Sequence, residues 1–145
     1  MTKEIFLKQL KGSTFAAKSG SNHWIVMDTK TETGGNDGAS TPKELVLMAL
    51  AGCTSMDVIP ILKKKKSPVI GYECHVRGIE RDEHPKIFTD IHIEYVFYGD
   101  GIMPEDVERA IDLSTSKYCS VSAILSASAT ITHSYRIEPA ANLIA

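Results

Sequence analysis

The feature that most constrains this chain is the stretch from Leu45 to Leu62, which is nearly all apolar or small and comes directly after a helix-start signal. Thr41 suits the N-cap, Pro42 the first helical position, and Glu44 stands three residues after Thr41, which together make a capping box. Only Thr54, Ser55 and Asp57 are polar in the run, so a helix here is expected to be buried on most sides. Pro60 removes a backbone donor and is expected to kink the helix or end its regular part. The lysines Lys63 to Lys66 and then Ser67-Pro68 close it, with the lysines complementing the helix dipole as a solvated end.

The flanking segments alternate β and α signals. Ile5 to Leu10 and Trp24 to Met27 are β-rich, with turns at Gly12-Ser13 and Ser19 to Asn22. Thr33 to Ala39 reads as a loop without an apolar anchor. Val69 to Arg81 and Ile87 to Tyr98 read as an antiparallel strand pair. In the second strand Ile91, Ile93, Tyr95 and Phe97 fall on one face, opposite Asp90, His92 and Glu94. A helix starting at Pro104, with Glu105 and Asp106 in its first turn, is predicted to run to about Ser116. A shorter helical stretch comes next, from Cys119 to about Ser126, and Ala129 to Glu138 reads as a final strand. The order is that of an α+β fold, and the 145 residues suit a single domain, 1–145.

Ordinary globular composition, 43% hydrophobic and 23% charged, is enough for a substantial core. The net charge of -2 gives no reason to expect a nucleic-acid partner. No run approaches the roughly 18 apolar residues expected of a membrane span, and Met1 to Gly12 has no signal-peptide core. Three cysteines, an odd number, argue against a secreted disulfide framework. A cytoplasmic location with reduced thiols is therefore expected.

The cysteines differ in setting. Cys53 lies deep in the apolar helix, beyond reach of its dipole, where burial would leave it inert unless a cation or donor came from elsewhere. Gly52 beside it costs about 1 kcal/mol relative to alanine in a helix, which suggests close approach of another segment or a ligand. Cys119 opens a helical stretch, where free N–H groups favour thiolate, and Lys117 is two residues away. Cys74 shares a strand face with Tyr72 and Val76 and reads as a core thiol. For Cys53 and Cys119 alike, a small buried core residue remains an open reading. The five histidines are scattered, and no close Cys/His spacing marks a metal site, so none is expected. Trp24 reads as a core or interface residue.

The stretch STPKELVLMALAGCTSMDVIPIL, Ser40 to Leu62, resembles the central-helix motif of the OsmC/Ohr family, a (N/S)P-x-E-(L/M) start followed by an (A/G)GC thiol. KYCSVSAIL, Lys117 to Leu125, resembles the family's second-cysteine motif, and ITHSYRI, Ile131 to Ile137, its last strand. The wording is closest to that of the YhfA-like subgroup. The resemblance spans nearly the whole chain. It implies an OsmC-like fold and an intertwined homodimer, with two central cysteine-bearing helices wrapped by β-sheets. On that view the helix is apolar all round because two subunits bury it.

The resemblance also implies a chemistry. Cys53 would attack an organic hydroperoxide and become a sulfenic acid, and Cys119 would resolve it to a disulfide. Glu44 matches the family's glutamate, which orients an arginine at the thiol. No bound cofactor is implied; the reductant would be an external thiol or lipoyl-type dithiol. The chain departs from the pattern at two places. It has no arginine before Arg77, only the lysines of KQLK (Lys8 to Lys11) in the matching region, and Ser120 stands where the family usually has proline. Lysine lacks the planar fork of arginine. A second function is therefore implied beside the peroxidase: a non-catalytic small-ligand binder or redox sensor in the same fold.

Overall fold

The computed structural model describes residues 1–144. They form two compact units, Met1–Val46 and the chain from Leu47 onward, and the long helix α1 (Pro42–Lys64) begins in the first and continues in the second.

The first unit is an antiparallel meander of β1 (Ile5–Lys11), β2 (Thr14–Ser19) and β3 (Trp24–Met27). Gly12, at φ +56°, makes the first turn at the expected place. Its strands keep large apolar side chains outside: Ile5, Phe6, Leu7, Leu10, Ile25 and Val26 are all exposed. Trp24 is not a core residue of this chain. It is 46% exposed, edge-on to Phe6, with the ammonium groups of Lys8 and Lys18 at 5.6 and 5.2 Å from its ring centre. The loop after β3 includes a 3₁₀ turn, Thr31–Thr33, and has a polar anchor in place of an apolar one. The buried Asp28 carboxylate accepts from Thr14 Oγ1 (3.1 Å) and from the N–H groups of Thr29 (2.7 Å), Asn36 (3.3 Å) and Gly38 (3.2 Å). Burial pushes this carboxyl up, but the four hydrogen bonds outweigh it and hold it below the usual carboxylate range.

The capping box forms as expected. Glu44 Oε2 accepts from the Thr41 N–H at 2.7 Å and from its hydroxyl at 3.0 Å, while the Glu44 N–H reaches Thr41 Oγ1 at 3.3 Å. The helix does not end at Pro60 but runs to Lys64. Pro60 and Met56, whose carbonyl would have taken the missing donor, are both on the exposed side, where water can substitute. The end is a Schellman motif: Ser67 N–H bonds Leu62 O, Lys66 N–H bonds Lys63 O, and Lys66 takes the left-handed position at φ +57°.

In the second unit β4 (Gly71–Glu80) pairs antiparallel with β5 (Phe88–Tyr98), which pairs in parallel with β6 (Thr130–Glu138). Parallel neighbours need a crossover. It consists of α2 (Pro104–Leu113), a π-helical turn (Ser114–Tyr118) and α3 (Ser120–Leu125). The second helix thus stops short of Ser116, where the backbone widens into the π-turn. Ile91, Ile93, Tyr95 and Phe97 are fully buried, as the alternation predicts, and pack in one core with Val107, Ala110 and Ile111 of α2. From α1 only the stripe Leu50, Thr54, Val58 and Leu62 is buried.

Two expectations about α1 are thereby corrected. Within one chain it is buried along one i, i+4 row rather than on most sides, and Met48 and Met56 are 53% and 78% exposed. By length and composition it is also apolar enough to cross a membrane, with a mean hydropathy of 2.0 over its best 18-residue window, of which 22% is buried. Its few polar residues do not offset so many leucines, isoleucines and methionines when hydropathy is averaged.

Candidate functional site: a thiol pair on a buried hydroxyl chain

Cys53 lies on α1 and is half-buried against the core; Cys119 is the N-cap of α3 and is 3% exposed. Both are free thiols, Cys53 packs against the core that contains Cys119, and its field acts on the Cys119 thiol. The fold therefore brings together two cysteines that the sequence sets far apart.

Cys119 is held on both sides. Its sulfur accepts from the Ser122 N–H at 3.4 Å, and its own N–H donates to Ser114 O at 2.8 Å. The helix start does not make it a thiolate. Burial pushes the thiol up, the hydrogen bonds from Ser122 oppose this, and the neighbouring Cys53 adds to the rise. A six-residue helix has too weak a field to prevail over burial. Lys117 does not help, since its ammonium group stands 5.3 Å from the centre of the Tyr118 ring.

A chain of hydroxyls lies under the pair. Ser114 Oγ donates to Asp57 Oδ2 at 3.0 Å. With its one proton spent there, Ser114 accepts from Thr54 Oγ1 at 3.0 Å, and Thr54 in turn accepts from the Tyr95 hydroxyl at 2.7 Å. Thr54, Ser114 and Tyr95 are fully buried, while Asp57 reaches partial exposure. Burial pushes the Tyr95 phenol up to about 12, against the Thr54 hydrogen bond and with the added fields of Cys74, Cys119 and Asp57.

Cys74 faces the core with Tyr72 and Val76, as the strand period predicts, and lies opposite Tyr95 in the sheet register. Burial raises its thiol, opposed by Tyr72 and Ser55. The Ser55 hydroxyl donates to Ala51 O at 2.6 Å and accepts from Tyr72 at 2.8 Å.

Glu44 belongs to the first unit. Its Oε2 serves the cap of α1 within the first unit, and the Thr41 bonds hold the carboxyl below its usual range. Gly52 has open space beside it: among the described residues, and apart from its chain neighbours and its own helix backbone, no atom lies within 4 Å of where a Cβ would sit. Sequence reasoning missed Tyr95 and Ser114 as site residues. Thr54 and Asp57 left one trace, as polar interruptions of the apolar run.

The arrangement sets a partly exposed thiol near a buried one whose ionisation burial disfavours.

The family model described as "OsmC-like protein" matches residues 34–134. Protein YhfA of Escherichia coli K12 is 40% identical over 134 residues, 92% of this chain and 97% of its own length. The crystal structure of a hypothetical protein from Aquifex aeolicus VF5 superposes with a TM-score of 0.84 at 32% identity, covering 96% of this chain and 98% of that one. The organic hydroperoxide resistance protein OsmC of Legionella pneumophila shares the fold, with a TM-score of 0.70 at 13% identity over 93% and 96% of the two chains. With its cysteine-bearing helix, its two three-stranded sheets and a match across most of its length, this chain belongs to the OsmC-like protein family.

Proposed function

We propose that the protein is a thiol-dependent peroxidase that reduces organic hydroperoxides and works as a homodimer. The observation that supports this reading is that the half-buried Cys53 packs against the same core as the buried Cys119, whose thiol is pushed up by burial and by Cys53. The difference in exposure supports the division of roles: the peroxide reaches Cys53 first, and Cys119 waits as the resolving thiol.

The Cys53 thiolate attacks one peroxide oxygen. The O–O bond breaks, the alkoxide takes a proton and leaves as an alcohol, and Cys53 becomes a sulfenic acid. The Cys119 sulfur, losing its proton, then displaces hydroxide from the sulfenic sulfur, which gives a disulfide and water. An external dithiol returns both sulfurs to thiols by exchange and is itself oxidised to a disulfide. Glu44 enters this scheme as a positioning residue, through the first turn of the helix that bears Cys53.

A second copy of the chain is the natural cover for α1. The exposed Met48 and Met56, and a helix-interior glycine with open space beside it among the described residues, fit a helix packed against its twin.

A second reading, a non-catalytic ligand binder or redox sensor, is favoured by one observation. The chain has no arginine before Arg77, and the Lys8 ammonium in the matching region lies against the Trp24 ring. Turnover decides between the two. Purified protein with a dithiol reductant should consume cumene hydroperoxide or t-butyl hydroperoxide, and Cys53→Ser should abolish it. A wild-type rate no higher than that of Cys53→Ser would remove the peroxidase.

A further inference from the structure

Ser114 is bonded to the chain on both sides of the thiol pair. Its side chain is held by α1, donating to Asp57 and accepting from Thr54, the residue next to Cys53. Its carbonyl accepts the Cys119 N–H at 2.8 Å. Ser114 also opens the π-helical turn that leads into Cys119. Such turns are rare, and they recur at functional sites because the widened backbone re-aims the next residues of the chain. Without a fixed first residue, the turn would have no defined register against α1. Ser114 and Thr54 are 0% exposed, so water does not compete for these bonds.

We propose that Asp57, Ser114 and Thr54 form a clasp that positions Cys119 for attack on Cys53, and so sets how readily the pair closes to a disulfide. This rests on the thiol-pair reading above. In the step it serves, the Cys119 sulfur bonds the Cys53 sulfur and the Cys53 S–O bond breaks. The hydroxide leaves as water with the proton given up by Cys119; Cys119 is oxidised as the sulfenic sulfur is reduced.

The clasp can be tested without peroxide. In glutathione redox buffers, trapped by alkylation and read by mass spectrometry, the equilibrium between dithiol and Cys53–Cys119 disulfide gives the effective concentration of one thiol at the other. Ser114→Ala and Thr54→Val should each lower it about tenfold, and Thr54→Ser, which keeps the hydroxyl, should restore it to within about threefold. The alkylation rate of Cys53 in a Cys119→Ser background should stay within about twofold throughout, which a general loosening of the core would not allow. If Ser114→Ala fails to fold, the Thr54 pair carries the test. An effective concentration unchanged within threefold in the folded Ala and Val variants overturns the clasp, even in a protein that turns over hydroperoxide. A glutathione series that behaves as expected in a protein without turnover supports the clasp and removes only the peroxidase.

Discussion

The Tyr95 hydroxyl donates to Thr54 Oγ1 at 2.7 Å across 41 residues of sequence, with both side chains fully buried. This bond joins the centre of the β4–β6 sheet to the residue beside Cys53. Tyr95→Phe removes the donor but leaves Thr54 able to donate to Ser114, so the expected loss is about 1 kcal/mol. The phenol also gives the protein an alkaline signature. Its ionisation in the folded state is raised above the ordinary value of about 10, so the unfolded chain loses this proton first as pH rises. The Tyr95 contribution to stability should be fully present below pH 10 and be lost as pH climbs from about 10 toward about 12. Urea unfolding across that range should show the fall, and Tyr95→Phe should make it shallower than in wild type, with the remainder due to the other raised groups, Tyr72 and the thiols Cys74 and Cys119 among them.

Alkylation should separate the thiols by position. Iodoacetamide on the native protein near neutral pH should label Cys53 well before Cys119, which is 3% exposed and whose thiol is raised by burial. Peptide mass spectrometry over time gives both rates. Labelling of Cys119 first would reverse the roles assigned to the pair.

Asp28 should act as an acid-sensitive latch on its loop. Its carboxyl is depressed in the folded state, so its contribution is present above the unfolded value near 4 and is lost as pH falls through the lower folded value. Asp28→Asn removes the charge at all pH values. Limited proteolysis at pH 7 should then cut between Thr29 and Ser40 faster than in wild type, with the second unit left intact.

The exposed methionines on α1 predict the assembly. Light scattering behind a sizing column should give the mass of two chains for wild type. Met56→Glu, at a position 78% exposed in one chain, should shift the population to single chains, because a charge would be buried between two helices. A wild-type protein that elutes as single chains would sink the dimer.

What could be read from the sequence was local. Thr41, Pro42 and Glu44 announce the start of α1, and the alternation Ile91, Ile93, Tyr95, Phe97 gives the buried face of β5, because caps and pleats depend on near neighbours. The helix passes Pro60 and closes at the lysine run, since whether a proline ends a helix depends on where its orphaned carbonyl points. The family motifs named Cys53 and Cys119, but nothing local predicts that they pack in the same core. Their setting depends on bonds spanning 57 and 60 residues, from Ser114 to Asp57 and Thr54. The same holds for Asp28, whose four partners are gathered by the folding of a loop with no periodicity.

The parallel pairing of β5 with β6 places Cys119 on the crossover between two neighbouring strands, while Cys53 precedes both. A bond between these sulfurs would close a ring of chain that contains β4, β5 and α2. A ring of that size removes roughly 4 kcal/mol of unfolded-state entropy in the chain-entropy account. Oxidation would then act as a reversible strap on the second unit, and the oxidised protein should melt at a higher temperature than the reduced one until a dithiol reductant releases it.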